Sequence, residues 1–388
     1  MRPLVNPFVV AKAARNLLSK VEIVINRSFG REFVPADRDI FCIETSGACN
    51  LKCRFCAYEK KQSPKVSMKD DMFESCVTQA LEMGSRHFEL TPTTGDVFMD
   101  RHLFNKLQFL EDHPYVEAFR FFTNFTIPDA EQIERLLALK KLDVVTISVY
   151  GHDRESFVAI TKSTEKVYRR LIANLETLYG LLDRVKFDLS FGLRSTRDAP
   201  RKPVTDLLRI LDRFEQRGIP VRDSHVYNNW GGYVTQADVE GLAIDITGAD
   251  KMYKNGACAY LFTTPQIKAD GVVNGCGCRD VDATLAIGDI RERPLRDIVS
   301  TRNPRYMELI DEQQRGEFRP VCQSCDYYKS IYHNRSIYRK EGTALQSLAE
   351  FKDQLATRTM SPERGPSGAS SEAVPSTAAA RRALSAAE

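Results

Sequence analysis

Three cysteines, Cys49, Cys53 and Cys56, stand within one eight-residue stretch of the chain. Soft sulfur donors at this spacing select zinc or an iron–sulfur cluster. A structural zinc site takes four ligands, usually from two paired motifs. No fourth ligand is near in sequence: Cys42 falls in an expected strand and Cys76 on the helix that follows. Three ligands on a four-iron cube leave one iron open, which a catalytic site needs and a structural site avoids. A second set, Cys258, Cys276, Cys278, Cys322 and Cys325, lies far downstream. Four of these suffice for either a second iron–sulfur cluster or a four-cysteine zinc site.

The elements that position these residues follow from hydrophobic periodicity. Strands are expected at Ile40–Glu44, His87–Thr91, Ala118–Thr123, Val144–Val149, Lys186–Phe191 and Arg222–Val226. Helices are expected at Met68–Met83, Arg101–Asp112, Asp129–Leu139, Thr164–Leu182 and Arg201–Gln216. Six strands with helical crossovers argue for parallel βαβ units, a partial (βα)6 TIM-like barrel rather than a full eight-fold one. The first three cysteines then follow the first strand, on the face where such folds place their chemistry.

The fold class is α/β, with this barrel over 39–232 and a bridge over 233–257. A small C-terminal unit spans 258–345, with short strands at Thr263–Ile267 and Gly271–Asn274 and a helix near Leu295–Asp311. Residues 346–388 are expected to form a short helix and a disordered tail. Residues 1–38 hold an amphipathic helix over Pro7–Ile25. Six Lys or Arg oppose one Glu within 1–31, a local charge of +5. This helix is read as packed on the main unit, with docking to a membrane surface or a partner as the alternative.

The chain of 388 residues is 43% apolar and 28% charged, and its net charge is +3. Bulk charge therefore gives no argument for nucleic acid as a partner. No run of about 18 apolar residues occurs, and Lys12, Arg15 and Lys20 interrupt the N-terminal apolar segment, so neither a transmembrane span nor a secretory signal is expected. A cytoplasmic location follows, in which ten cysteines suit metal or catalytic roles better than disulfides.

The C-x3-C-x2-C run, with Phe55 just before its third cysteine, resembles the signature of the radical S-adenosylmethionine (SAM) superfamily. The resemblance implies a [4Fe–4S] cluster on Cys49, Cys53 and Cys56, with SAM bound at the open iron. The SAM is cleaved reductively to a 5′-deoxyadenosyl radical that takes a hydrogen atom from substrate. It also implies Phe55 near the adenine, with Tyr58 close by. Thr94-Gly95-Asp96 stands where the family receives the SAM amino group, though Thr94 departs from the usual glycine. Asn124, Ser148 and Arg194 match positions that approach the ribose or carboxylate. The spacing Cys258-x12-Gly271-x4-Cys276, closed by Cys322-x2-Cys325, resembles SPASM and twitch auxiliary domains. No further cysteine follows Cys325, so the shorter twitch form is implied. It would hold one auxiliary [4Fe–4S] cluster on Cys258, Cys276, Cys322 and Cys325, with Cys278 to spare.

By this resemblance the expected reaction is dehydrogenation of a small polar sugar, cyclitol or nucleoside-like substrate, with the auxiliary cluster as electron acceptor. The alternative is a maturase that modifies a peptide or protein side chain. A flavodoxin or ferredoxin is the implied reductant. General-base candidates, by location alone, are Arg194, His225, Tyr227 and His102. The single tryptophan, Trp230, is read either as core or as a wall facing substrate.

Overall fold

The computed structural model describes residues 7–36, 40–248, 252–334 and 344–357. Six strands form the centre: β1 (Ile40–Ile43), β2 (His87–Glu89), β3 (Ala118–Thr123), β4 (Leu142–Tyr150), β5 (Asp188–Arg194) and β6 (Val221–Ser224). Each pairs parallel with the next. The crossovers are α1 (Asp70–Glu82), α2 (Leu103–Asp112), α3 (Ala130–Ala138), α4 (Arg154–Thr161), α5 (Glu165–Gly180) and α6 (Asp206–Gln216). This is the expected partial barrel, with α4 as an unexpected short helix. Only Phe157 and Ile160 give α4 an apolar stripe, too brief a period to read. Its start is a capping box between Asp153 and Ser156.

Strand register separates two faces. Phe41, Phe88 and Phe119 align laterally, as do Phe121, Val145 and Leu189, and all are buried. This side lies under the helices: Phe191 of β5 meets Phe214 of α6 at 4.7 Å between ring centroids. The opposite side is polar. Cys42, Glu89, Arg120, Val144 and Asp188 form one row, Phe122, Thr146 and Ser190 a second, Ser148, Gly192 and Arg222 a third, and Tyr150, Arg194 and Ser224 a fourth, so polar residues predominate. Strands of a parallel sheet covered on both faces are usually apolar on both. The largely polar side of this one, here called the chamber, is suited to a polar ligand.

The C-terminal unit extends the same sheet. Its strand β7 (Gln266–Ile267) pairs parallel with β1, and β8 (Val272–Asn274) and β9 (Ala286–Asp289) continue antiparallel, giving the order β9-β8-β7-β1-β2-β3-β4-β5-β6. The expected strand Thr263–Ile267 is shorter, because Tyr260–Thr263 is a helical turn that Pro265 ends. The expected helix near Leu295–Asp311 is two, Leu295–Ile298 and Pro304–Arg315. Asn303 caps the second, with Pro304 in its first turn. The Lys268–Gly271 turn joins β7 to β8; the Gly271 amide donates to Lys268 O. The N-terminal helix runs Pro7–Ser28. A C-terminal helix occupies Leu348–Thr357, and the expected disordered tail lies outside the described residues.

Candidate active site

The Cys49–Cys56 loop leaves β1 and is pinned on several sides. The Lys52 and Arg54 amides donate to the carbonyls of Thr161 and Ile160 at the end of α4. Asn50 donates to Thr126 Oγ1 at 2.9 Å and accepts from Asn124 Nδ2 at 2.9 Å. Asn124 Nδ2 also reaches Cys49 Sγ at 3.7 Å, and the Leu51 amide lies 3.5 Å from the same sulfur. Asn124 is thereby engaged in shaping the cysteine loop. Burial pushes the Cys49 thiol up to about 12, with Asp96 adding to it. It pushes Cys56 up to about 11 against the opposing pull of the Tyr58 amide, Lys61 and Arg194. Cys53 is raised by burial and then by Cys56 and Cys49. The three sulfurs therefore feel one another in one buried pocket, and a positively charged group is needed before they ionise together.

Thr94-Gly95-Asp96 packs directly on this loop. Gly95 has φ +117°, and a Cβ there would lie 2.2 Å from the Ser46 carbonyl oxygen, so only glycine fits. The Asp96 amide donates to Ala48 O at 2.8 Å. The Asp96 carboxylate accepts from the Phe98 amide at 3.0 Å, the Asn124 amide at 2.7 Å and Thr123 Oγ1 at 3.0 Å. This side chain is therefore a brace between the loops after β2 and β3. Burial raises Asp96 to about 6 despite those donors.

Phe55 is buried with its ring stacked on Tyr227, at 4.3 Å between centroids and 16° between planes. Tyr58 is half-buried, with Lys65 Nζ 4.7 Å from its ring centroid. Ser148 and Arg194 lie on the polar side of the sheet. The Arg194 guanidinium stands 6.0 Å from the Tyr227 ring.

Tyr227 does not fit the base role given it by location. Its hydroxyl donates to Ser195 O at 2.7 Å and to Ser224 O, and burial pushes its pKa up. His102 stands just before α2, exposed, and pairs with Asp70 at 3.3 Å. His225 is half-buried beside the short strand Val226–Tyr227, and among the described residues no contact joins its side chain to the cysteine loop. Trp230 is a strut: its indole nitrogen donates to Phe55 O at 3.1 Å, and Arg279 stands 5.6 Å from its ring.

The five downstream cysteines form one nest. Cys276 is raised by burial and then by Cys278, Cys258 and Cys322; Cys325 is pushed up to about 12 by burial, Cys278 and Cys258. N–H groups point at the sulfurs: Gln313 Nε2 at Cys322 (3.3 Å), the Tyr327 amide at Cys325 (3.3 Å) and the Lys329 amide at Cys258 (3.5 Å). Such donors favour thiolate over thiol and suit cluster sulfurs. Cys278 follows Gly277, whose amide donates to Thr264 O at 2.7 Å just before β7, the strand that pairs Gln266 with Cys42 of β1. Among the described residues no three His, Cys, Asp or Glu converge closely enough to hold a single ion. A four-iron cube is wider than one ion and takes its thiolates further apart.

One group of functional residues was missed in the sequence. Glu44, directly after β1, accepts from Lys268 Nζ at 3.0 Å, the Ala269 amide at 3.1 Å and Thr93 Oγ1 at 3.3 Å. Lys61 Nζ, buried nearby, donates to Gly47 O at 3.0 Å and Thr94 Oγ1 at 3.4 Å. Burial lowers Lys61, with Glu44 opposing and Lys268 adding to the effect. Asp282 accepts from the Gln62 and Ser63 amides at 2.7 and 2.8 Å. The C-terminal unit thus grips the segment after Cys56 and the base of the cysteine loop.

A family model for the radical SAM superfamily matches residues 43–201, and one for an iron–sulfur cluster-binding domain, SPASM, matches 258–326. This chain is a radical SAM enzyme with a SPASM domain. It binds a [4Fe–4S] cluster and SAM, and its SPASM domain is of the kind that carries auxiliary iron–sulfur clusters. No curated protein matches the chain significantly. Solved structures similar to this radical SAM enzyme include BtrN in complex with AdoMet and 2-DOIA (13% identity, 77% of this chain and 97% of that one, TM-score 0.47). Others are Streptococcus suis SuiB bound to precursor peptide SuiA (17%, 84% and 78%, TM-score 0.43) and anSMEcpe with bound AdoMet (15%, 76% and 93%, TM-score 0.46). No helix among the described residues is long and apolar enough to cross a membrane.

Proposed function

We propose that this radical SAM enzyme dehydrogenates a small polar substrate, a sugar, cyclitol or nucleoside-like alcohol, and passes one electron to an auxiliary cluster. In this reading Cys49, Cys53 and Cys56 hold the SAM cluster, and Cys258, Cys276, Cys322 and Cys325 hold the auxiliary one. Ser148, Arg194 and the carbonyls of Thr94 and Gly95 meet SAM, with Phe55 and Tyr58 lining its approach. Bound there, the cluster and SAM supply a 5′-deoxyadenosyl radical, fed by an electron from a flavodoxin- or ferredoxin-type donor.

The observation that carries the reading is the continuity of one sheet from polar chamber to cysteine nest. β7 lies beside β1, pairing Gln266 with Cys42 on the polar side. Removing a carbinol hydrogen atom and the hydroxyl proton leaves one electron still to be lost before a ketone forms. A cluster held by the downstream cysteines would supply the acceptor for that electron. Beside the groups that meet SAM, the same side carries the hydroxyls of Thr146 and Ser190 and the guanidinium of Arg222, which suit a hydroxylated substrate.

The test is a single turnover of pre-reduced enzyme with cyclitols and sugars deuterated at the carbinol carbon. Deuterium in 5′-deoxyadenosine, one SAM consumed per ketone and a reduced auxiliary cluster by electron paramagnetic resonance are expected. Deuterium transfer from peptides alone would replace this reading with that of a maturase.

A further inference from the structure

The N-terminal helix carries an apolar strip that the rest of the described chain leaves uncovered. Leu17 is 62% exposed, Leu18 70% and Phe29 just beyond the helix 71%; Val21, Val24 and Ile25 are also exposed. Of the ten exposed large apolar side chains among the described residues, these are six. Their spacing places Leu17, Leu18, Val21, Val24 and Ile25 on one helical face, a strip about 12 Å long. A patch concentrated in this way differs from the scattered apolar residues normal on any surface.

The opposite face anchors the helix. Ile23 is buried, Asn26 Nδ2 donates to Tyr332 O at 2.9 Å, and Glu22 pairs with His333 at 3.2 Å and accepts from the Asn334 amide at 3.0 Å. The strip therefore faces outward from a fixed helix. Lys20 and Arg31 are exposed beside it, while Arg27 turns to the anchoring side and donates to Gln314 O at 2.7 Å. Over residues 1–31 Arg2, Lys12, Arg15, Lys20, Arg27 and Arg31 face a single acid, Glu22, which His333 already engages.

We infer that this helix docks the enzyme onto an anionic lipid bilayer surface, with Leu17, Val21, Val24 and Ile25 in the interfacial layer and the basic rim on lipid headgroups. An apolar face flanked by basic side chains without acids is the pattern that lies in such an interface. Other occupants fit less well. A second copy would bring two basic rims together. Residues 358–388 hold only Met360, Val374 and Leu384 as large apolar side chains, and residues 335–343 are themselves basic, with Arg335, Arg339 and Lys340 against Glu341.

The test is flotation of the full-length holoenzyme with vesicles of phosphatidylcholine mixed with phosphatidylglycerol, and with phosphatidylcholine alone. Flotation with the anionic vesicles only, weakened by salt, is expected. Leu17→Ser/Val21→Ser/Ile25→Ser should lower the partition coefficient at least roughly tenfold. Lys20→Gln/Arg31→Gln should do the same. Both variants should keep the wild-type iron content and SAM cleavage. No flotation of the wild type, equal flotation on both vesicles, or unchanged flotation of either variant overturns the inference. So does a wild-type dimer that fails to float and that the serine variant converts to monomer.

Discussion

Single side chains in this enzyme divide into those that hold iron and those that hold the holders. Replacing Cys49, Cys53 and Cys56 by Ala should abolish 5′-deoxyadenosine formation while about four irons remain on the second site. Iron and sulfide counting with a dithionite-plus-SAM assay checks this, and persistent SAM cleavage would sink the division of roles. Asp96 belongs to the second kind. Its carboxylate gathers three donors from the loops after β2 and β3. Asp96→Asn keeps the shape but replaces one accepting oxygen with a donor. We expect a loss of about 1.5–3 kcal/mol in thermal or denaturant unfolding, together with weaker SAM binding. Unchanged stability would show that the brace is redundant.

Elements are seated by a few buried charges. Lys106 of α2 is fully buried between Asp100, at 2.8 Å, and Asp70 at the start of α1, at 2.6 Å. It ties two consecutive crossover helices together and neutralises a buried carboxylate. Lys106→Ala leaves Asp100 buried without that cation and should destabilise the fold by about 3–5 kcal/mol. Equilibrium denaturation measures it. An Asp100→Asn/Lys106→Met double variant, which removes both charges, should recover most of the loss. Failure to recover would mean that packing rather than charge seats α2.

At the scale of the whole molecule the two cysteine sets share one sheet and one buried polar cluster. Lys268 from the SPASM side and Glu44 from the barrel meet in the interior, and Lys61 carries the contact on to Gly47 and Thr94. Lys268→Met should weaken that junction by about 3 kcal/mol. It should also raise the ratio of 5′-deoxyadenosine formed to product released, since radical generation and electron acceptance would no longer be held in register. Unaltered coupling in this variant would make the cluster purely structural. Replacing Cys322 and Cys325 by Ala should spare part of the SAM cleavage, remove about four irons and stop the two-electron oxidation. Continued oxidation would locate the electron acceptor elsewhere.

Local pattern alone determined the cysteine loop, the six strands with most of their crossovers, and the downstream cysteine spacing. Each is set by neighbours along the chain: three thiols in eight residues, apolar runs of strand length, turns at glycine. What only the tertiary structure decided joins distant positions. Glu44 and Lys268 are 224 residues apart and read in sequence as ordinary charged residues. Tyr227 read as a possible base until Ser195 and Ser224 were seen to take its hydroxyl. The annexing of β7–β9 to the barrel has the same origin: two to four residues per strand carry too little periodicity to announce a partner, and pairing with β1 is settled by packing across the molecule.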